Sequence, residues 1–222
     1  MKKFTKAAIH NLSIGTPKTL KYGNGKEMQS AIEKQAVERV FLAKEGFHGD
    51  QVADLKHHGG PERAVCIYPA EHYLLWEQEF QKPLPPATFG ENLTVSGMLE
   101  QDVYIGDIFR VGDAIIQVTQ GRVPCQTIDR RLDITPLMKR MVKTGFTGYL
   151  CKVIKEGEIR ADSDIELMES HPEQISVLYT NEVNFHRPKD IEAMAKILKV
   201  DALADEWRKH FEKRLEKLTG SQ

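Results

Sequence analysis

Over the first 170 residues, apolar positions come in short runs broken by Gly and Pro every few residues. Ile108-Phe109-Arg110-Val111 and Ala114-Ile115-Ile116-Gln117-Val118 flank Gly112-Asp113, a spacing that predicts two strands joined by a tight hairpin. Residues 149–154 and 165–168 predict further strands, as do 7–14, 64–68 and 92–95. Helical spacing is confined to about 70–80 and to a segment after Thr135-Pro136, where Thr reads as an N-cap and Pro as the first helical residue. Segment 27–42 fits either strand or helix, with strand favoured. Many short strands between Gly-rich turns predict a mainly β fold with a few short helices, a closed or nearly closed barrel.

Near residue 170 the pattern changes. Ser170-x-x-Glu173 reads as a capping box, and Gly is then absent until Gly220. Ile191, Met194, Ala195 and Leu198 share one helical face, and Leu203, Trp207, Phe211 and Leu215 another. Short helices cannot each hide a stripe alone, so three of them should pack together or onto the barrel. The expected organisation is a β-barrel domain over 1–170 and a three-helix domain over 171–222. Charge does not follow this division, since residues 171–222 hold nine Lys/Arg and nine Asp/Glu.

Composition narrows the functional classes. Across 222 residues, 31 Lys+Arg against 32 Asp+Glu leave a formal charge of −1. No excess points to a nucleic-acid polymer or an anionic membrane. A mean hydropathy of −0.43 and the lack of a long apolar run predict no membrane span. Met1-Lys2-Lys3-Phe4-Thr5 has no apolar segment after its basic residues, unlike a secretory signal. Cys66, Cys125 and Cys151 lack CxxC spacing, which excludes a disulfide framework, a four-thiolate zinc site and an iron–sulfur cluster. A cytoplasmic protein with free thiols is expected.

Three segments carry candidate chemistry. Residues 46–63 gather His48, His57, His58, Lys56, Arg63, two Asp and four Gly within eighteen positions. That is either a long surface loop with Gly turns or a flexible, cationic cradle for an anion; loops of this length in compact domains are usually functional or disordered. In extended backbone His57 and His58 point to opposite sides, which disfavours a three-His metal site but leaves a histidine free to contact a ligand. The second segment is Gln120-Gly121-Arg122-Val123-Pro124-Cys125. Gly and Pro set this thiol in a constrained loop, and Arg122 can favour its thiolate, the form that attacks or ligates metal. Cys66 and Cys151, inside apolar strand patterns, read as buried inert thiols. The third segment, Phe89-Gly90-Glu91-Asn92-Leu93-Thr94, offers Glu91 and Asn92 at the start of a strand, as turn residues or as partners for a heterocycle. No dinucleotide, P-loop, zincin or hydrolase-elbow motif is present.

Taken together, these segments resemble the MOSC domain, the fold at the C-terminus of molybdenum cofactor sulfurases, in its stand-alone bacterial subgroup. The resemblance rests on Gly49-Asp50-x-x-x-Asp54-x-x-His57-His58-Gly59-Gly60, Arg63-Ala64-Val65, Tyr68-Pro69, Phe89-Gly90-Glu91-Asn92-Leu93, Ile105-Gly106-Asp107 and Pro124-Cys125. It covers about residues 1–170, and the tail resembles the three-helix domain that follows MOSC in this subgroup. It implies a β-barrel that holds the molybdenum cofactor, a phosphate-bearing pterin whose dithiolene binds the metal. The family's cysteine ligand maps onto Cys125. Lys56, His57, His58, Arg63 and Arg122 are then candidates to bind cofactor, Asn92 matches a position near it, and His57 or His58 is a candidate proton donor. The implied activity is reduction of small N-hydroxylated compounds, such as N-hydroxylaminopurine-type base analogues, to amines in detoxification. A carrier of cofactor or sulfur without turnover is the alternative. Unclustered cysteines and no flavin motif imply a separate electron-donating reductase; a homodimer is a further candidate assembly, with the oligomeric state left open by the sequence. No lysine stands out as a Schiff-base former, so pyridoxal phosphate is not expected.

Overall fold

The computed structural model describes residues 6–53 and 59–220. Its strands are β1 (Ala8–Ile14), β2 (Lys18–Tyr22), β3 (Lys26–Ser30), β4 (Gln35–Ala36), β5 (Arg39–Ala43), β6 (Gly46–Phe47), β7 (Val65–Pro69), β8 (Leu93–Ser96), β9 (Ile108–Val111), β10 (Ala114–Gly121), β11 (Tyr149–Lys155), β12 (Gly157–Arg160) and β13 (Ile165–Glu169). Helix α1 (Glu71–Phe80) links β7 to β8, and α2 (Thr127–Leu132) and α3 (Leu137–Thr144) link β10 to β11. The tail carries α4 (Val177–His186), α5 (Ile191–Ile197) and α6 (Asp205–Thr219).

Eight strands form one sheet in the order β13-β9-β10-β11-β7-β8-β1-β4. Among the described strands only β7 and β8 pair in parallel, as the helical crossover between them requires. The register shifts at Ile9/Asn11, Ile115/Ile116, Val118/Gln120 and Leu167/Glu169, and such irregularities bend strands. The sheet is a half-barrel. The β12-β5-β6 ribbon lays Val40, Leu42, Phe47 and Ile159 over its concave face. Segment 27–42 is extended, as expected, but the β2–β3 hairpin that begins it was not foreseen.

The expected β9–β10 hairpin forms around Gly112, whose φ of +57° suits a tight turn. Two helix starts differ from expectation. Ser170 does not cap a helix; its hydroxyl and the His171 N–H donate to Asp107, and the first tail helix is capped by Ser176, which accepts from the Tyr179 N–H. Thr135 does not cap α3 either. The first turn of α3 is held by Asp129, which accepts from the Met138 N–H at 2.7 Å. Asp107 draws Ser170 away from a cap, leaving that role to Ser176, and Asp129 takes the role expected of Thr135.

The main core does not stop at residue 170. Leu12, Val65, Ile67, Val118, Tyr149 and Cys151 of the sheet share one cluster with Val177, Val183, Met194, Ile197, Trp207 and Phe211 of the tail. A second, smaller core lies elsewhere: Leu20, Ile32, Tyr68, Trp76, Phe89, Ile128, Leu137 and Met141 join the β2–β3 hairpin to α1, α2 and α3.

Candidate functional site

Strand alternation builds the site. Directly paired residues point to the same face of a sheet. Gly121, Tyr149 and Ile67 form one cross-strand row, with Tyr149 and Ile67 in the main core. The next row, Gln120, Leu150 and Cys66, therefore faces the other way, toward the side where Tyr68 enters the second core. The cysteine reading changes accordingly. Cys151 is fully buried, as expected, but Cys66 is half-buried on the same face as the segment leading to Cys125. Alternation with Val65 and Ile67 was the signal that could have separated it from Cys151.

Beyond Gly121 the chain leaves the sheet. The Arg122 N–H donates to the Gly148 carbonyl at 3.0 Å. Gly148 in turn donates to Glu100 at 2.8 Å, and Glu100 holds His72 at 2.7 Å in a buried pair. Gly148 has a φ of +73°, and a Cβ there would lie 2.4 Å from the Ile67 carbonyl, so the close approach needs glycine. Cys125, half-buried, follows three residues later, and its carbonyl accepts from the Ile128 N–H as α2 begins.

Arg122 is the electrostatic centre. Its Nη1 is buried with no hydrogen-bond partner among the described residues. Burial opposes its charge, yet Cys66, Cys125, Glu91 and Tyr68 lie close enough to raise its pKa and hold it as a cation. For Cys66 the balance is reversed: burial pushes the thiol up, and Arg122 pulls it only part of the way back. Gln120 Oε1 is also buried and unpartnered. A donor and an acceptor two residues apart in the chain, both buried and unpartnered among the described residues, are costly in a protein interior and suit a polar ligand.

Glu91 and Asn92 sit behind these groups. The fully buried Glu91 carboxylate accepts from the Tyr73 hydroxyl, from Thr94 Oγ1 at 2.8 Å and from the Phe89 N–H at 3.1 Å. Burial and that carboxylate push the Tyr73 pKa up. The Asn92 amide accepts from the Cys66 N–H at 3.0 Å and donates to Asp50 at 2.8 Å and to the Ser13 carbonyl at 3.3 Å. Asn92 is therefore a joint that fixes the backbone at Cys66. Asp50 also accepts from the Gly15 N–H at 2.7 Å and pairs with Lys34, whose side chain is only 6% exposed. Lys34 was missed because it lies in an otherwise ordinary polar stretch.

The 46–63 loop is described only in part. Lys56, His57 and His58 lie outside the described residues. His48 packs its ring on Phe41, with centroids 5.1 Å apart. Arg63, expected at the cofactor, pairs with Glu206 of α6. Beside it, Glu62 accepts from the Asp205 N–H, and its carbonyl accepts from Thr119 Oγ1 at 2.7 Å. This turn binds the loop to the tail. Among the described residues no three His, Cys, Asp or Glu side chains are gathered as a metal site, and no helix is long and apolar enough to cross a membrane.

A half-buried thiol beside a buried arginine, at the end of a bent β-sheet, is the arrangement with which known proteins can be compared. Residues 54–166 match the MOSC domain, and 175–218 match the YiiM-like, 3-alpha helix domain. The chain belongs to the MOSC domain family. Among its MOSC relatives, the uncharacterized protein YflK of Bacillus subtilis is 41% identical over 95% of this chain and 96% of its own length. Protein YiiM of Escherichia coli is 39% identical over 91% of both chains. A protein called "Reductase" from Gibberella moniliformis is 36% identical over 72% of this chain but only 29% of its own length. The crystal structure of YiiM from Geobacillus stearothermophilus superposes with a TM-score of 0.80 at 31% identity, covering 94% of this chain and 99% of that one.

Proposed function

We propose that this MOSC protein is an oxidoreductase that binds a molybdenum cofactor and reduces small N-hydroxylated compounds, such as N-hydroxylaminopurine-type bases, to amines. The observation that carries the reading is a half-buried Cys125 in the electrostatic neighbourhood of Arg122, whose buried Nη1 has no acceptor among the described residues. The fit to the cofactor is chemical. A thiolate is a soft, strongly donating ligand for a heavy metal, and a guanidinium held as a cation matches the phosphate or dithiolene of a molybdopterin.

When bound, the cofactor supplies two-electron redox chemistry at the metal. The chain's own residues would divide the work. Cys125 would hold the metal through Sγ, and Arg122 would offer Nη1 to the anionic part of the group. Gln120 Oε1, buried and without a partner among the described residues, would serve as an acceptor toward the group. Lys56, His57 and His58 are the further candidates for binding, with Arg63 engaged by Glu206, and His57 or His58 is the candidate source of the proton for the departing hydroxyl. Asn92, held by protein partners, acts by fixing Cys66 and the strand beside it.

Overall, R–NHOH takes up two electrons and two protons and gives R–NH2 and water. The electrons are assigned to a separate reductase, because three dispersed cysteines form no cluster-ligand set. The relative called a reductase is consistent with redox chemistry. The test is turnover: holo-protein purified from a cofactor-making host, with a chemical reductant, should convert an N-hydroxylated base to its amine. Bound molybdenum without reduction by any donor would overturn the reductase reading in favour of a cofactor or sulfur carrier.

A further inference from the structure

Alternation along the end of β10 sends Gln120 and Arg122 to the site and turns Gly121 toward the main core, where the three-helix unit packs. What meets Gly121 there is Asn181 of α4. A Cβ on Gly121 would lie 1.8 Å from Asn181 Oδ1, so the amide rests on the glycine backbone itself. Asn181 is fully buried, and its Nδ2 donates to the Gly145 carbonyl at 2.9 Å and to Thr147 Oγ1 at 3.0 Å. These residues lead into Gly148, whose carbonyl accepts from the Arg122 N–H. One amide thus braces both strand ends that meet at Arg122. Its Oδ1 has no hydrogen-bond partner among the described residues, and a buried acceptor without a donor is costly in a protein interior.

A second set of contacts acts on the same strand end. The Ala204 N–H donates to the Thr119 carbonyl at 3.1 Å, and Glu62, tied to Thr119, is held by the Asp205 N–H. Residues 119–121 are therefore fixed from behind by the tail, immediately before the segment that carries Arg122 and Cys125.

We propose that Asn181 is a positioning residue of the site, and that the three-helix unit serves to set the Arg122–Cys125 segment through the Asn181–Gly121 contact. This goes beyond the redox reading, and its test needs no cofactor. The readout is the rate at which iodoacetamide alkylates Cys125 in the full-length protein, followed by peptide mapping, alongside Tm. Asn181→Ala should loosen the segment and speed alkylation by about threefold or more, at the lower end of the coupling seen for residues joined through shared contacts. Gly121→Ala, which drives a methyl into the amide, should do the same. Combining the two should bring the rate back toward wild type, because the methyl then fills the space the amide leaves. Val183→Ala, which truncates a core residue of the same helix, should lower Tm and leave the rate within about twofold of wild type.

The proposal is overturned if Val183→Ala raises the Cys125 rate as much as Asn181→Ala, or if the two site substitutions combine without rescue. Should Gly121→Ala fail to fold, the comparison of Asn181→Ala with Val183→Ala decides alone. An unchanged Cys125 rate in a folded Asn181→Ala protein contradicts the proposal.

Discussion

Opposite faces of β7, β10 and β11 enter different environments. On one, Val65, Ile67, Val118, Tyr149 and Cys151 join a largely aliphatic core continuous with the tail helices. On the other, Tyr68 stacks on Phe89 with centroids 3.9 Å apart, and its hydroxyl accepts from Trp76 Nε1 at 2.8 Å and donates to the Phe146 carbonyl at 3.3 Å. The first face is packed by shape and the second by aromatic rings with polar ends. Buried polar atoms without a partner among the described residues lie on both sides of the strand end: Gln120 Oε1 and Arg122 Nη1 on the second face, and Asn181 Oδ1 against Gly121 on the first. The aliphatic face sets where the strands lie, and the polar face uses that rigidity to hold groups no folding argument would put there.

The largest effect should come from the shared core. Phe211→Ala, in the last helix, should destabilise the protein by about 3–5 kcal/mol and do so in a single transition that includes the sheet. Separate unfolding of tail and sheet, followed by near- and far-UV circular dichroism, would break the picture of one continuous core. On the second face, Arg131 donates through Nη1 to the carbonyls of Ile32, Ala87 and Thr88 at 3.0, 2.6 and 2.8 Å. Arg131→Met should cost roughly 2 kcal/mol and should raise proteolytic cleavage in the β2–β3 hairpin before it affects the tail. Uniform protease sensitivity would mean that the second core is not a separable layer.

The smallest effect is expected at the rim of that core, where Arg140 of α3 holds Glu79 of α1 through Nη2 at 3.0 Å and through Nε. The hydrogen bond from Arg140 holds the Glu79 carboxyl below its ordinary 4.5. A lowered carboxylate pKa means stability present above the unfolded value and lost as pH falls through the folded one. Glu79→Gln should therefore lower Tm slightly at pH 7, with the difference from wild type vanishing toward pH 3, as expected of a solvent-exposed pair. A difference that persists in acid would assign the effect to packing rather than charge.

Much of this organisation was legible in the sequence. Strand runs, the Gly112 hairpin, the helical tail and the Cys125 segment all follow from period and turn chemistry, because those signals are local. What escaped was set by distant partners. Asp107 drew Ser170 away from its expected cap, Asp129 took the role given to Thr135, Glu206 claimed Arg63, and Asp50 claimed both Asn92 and Lys34. Nothing in the order of residues near Asn181 says that a glycine sixty positions earlier will receive it. Cys66 is different: read with Cys151 as a buried inert thiol, it could have been separated from it by its alternation with Val65 and Ile67.

Cys125 as the metal ligand is the central claim, and metal analysis of wild type and Cys125→Ser tests it most directly. Both proteins would be purified from a host that makes the molybdenum cofactor, with circular dichroism to establish equal folding. The account predicts molybdenum bound to wild type and lost from Cys125→Ser. Molybdenum retained unchanged by the serine variant would contradict the ligand assignment, and molybdenum absent from both would contradict the cofactor itself.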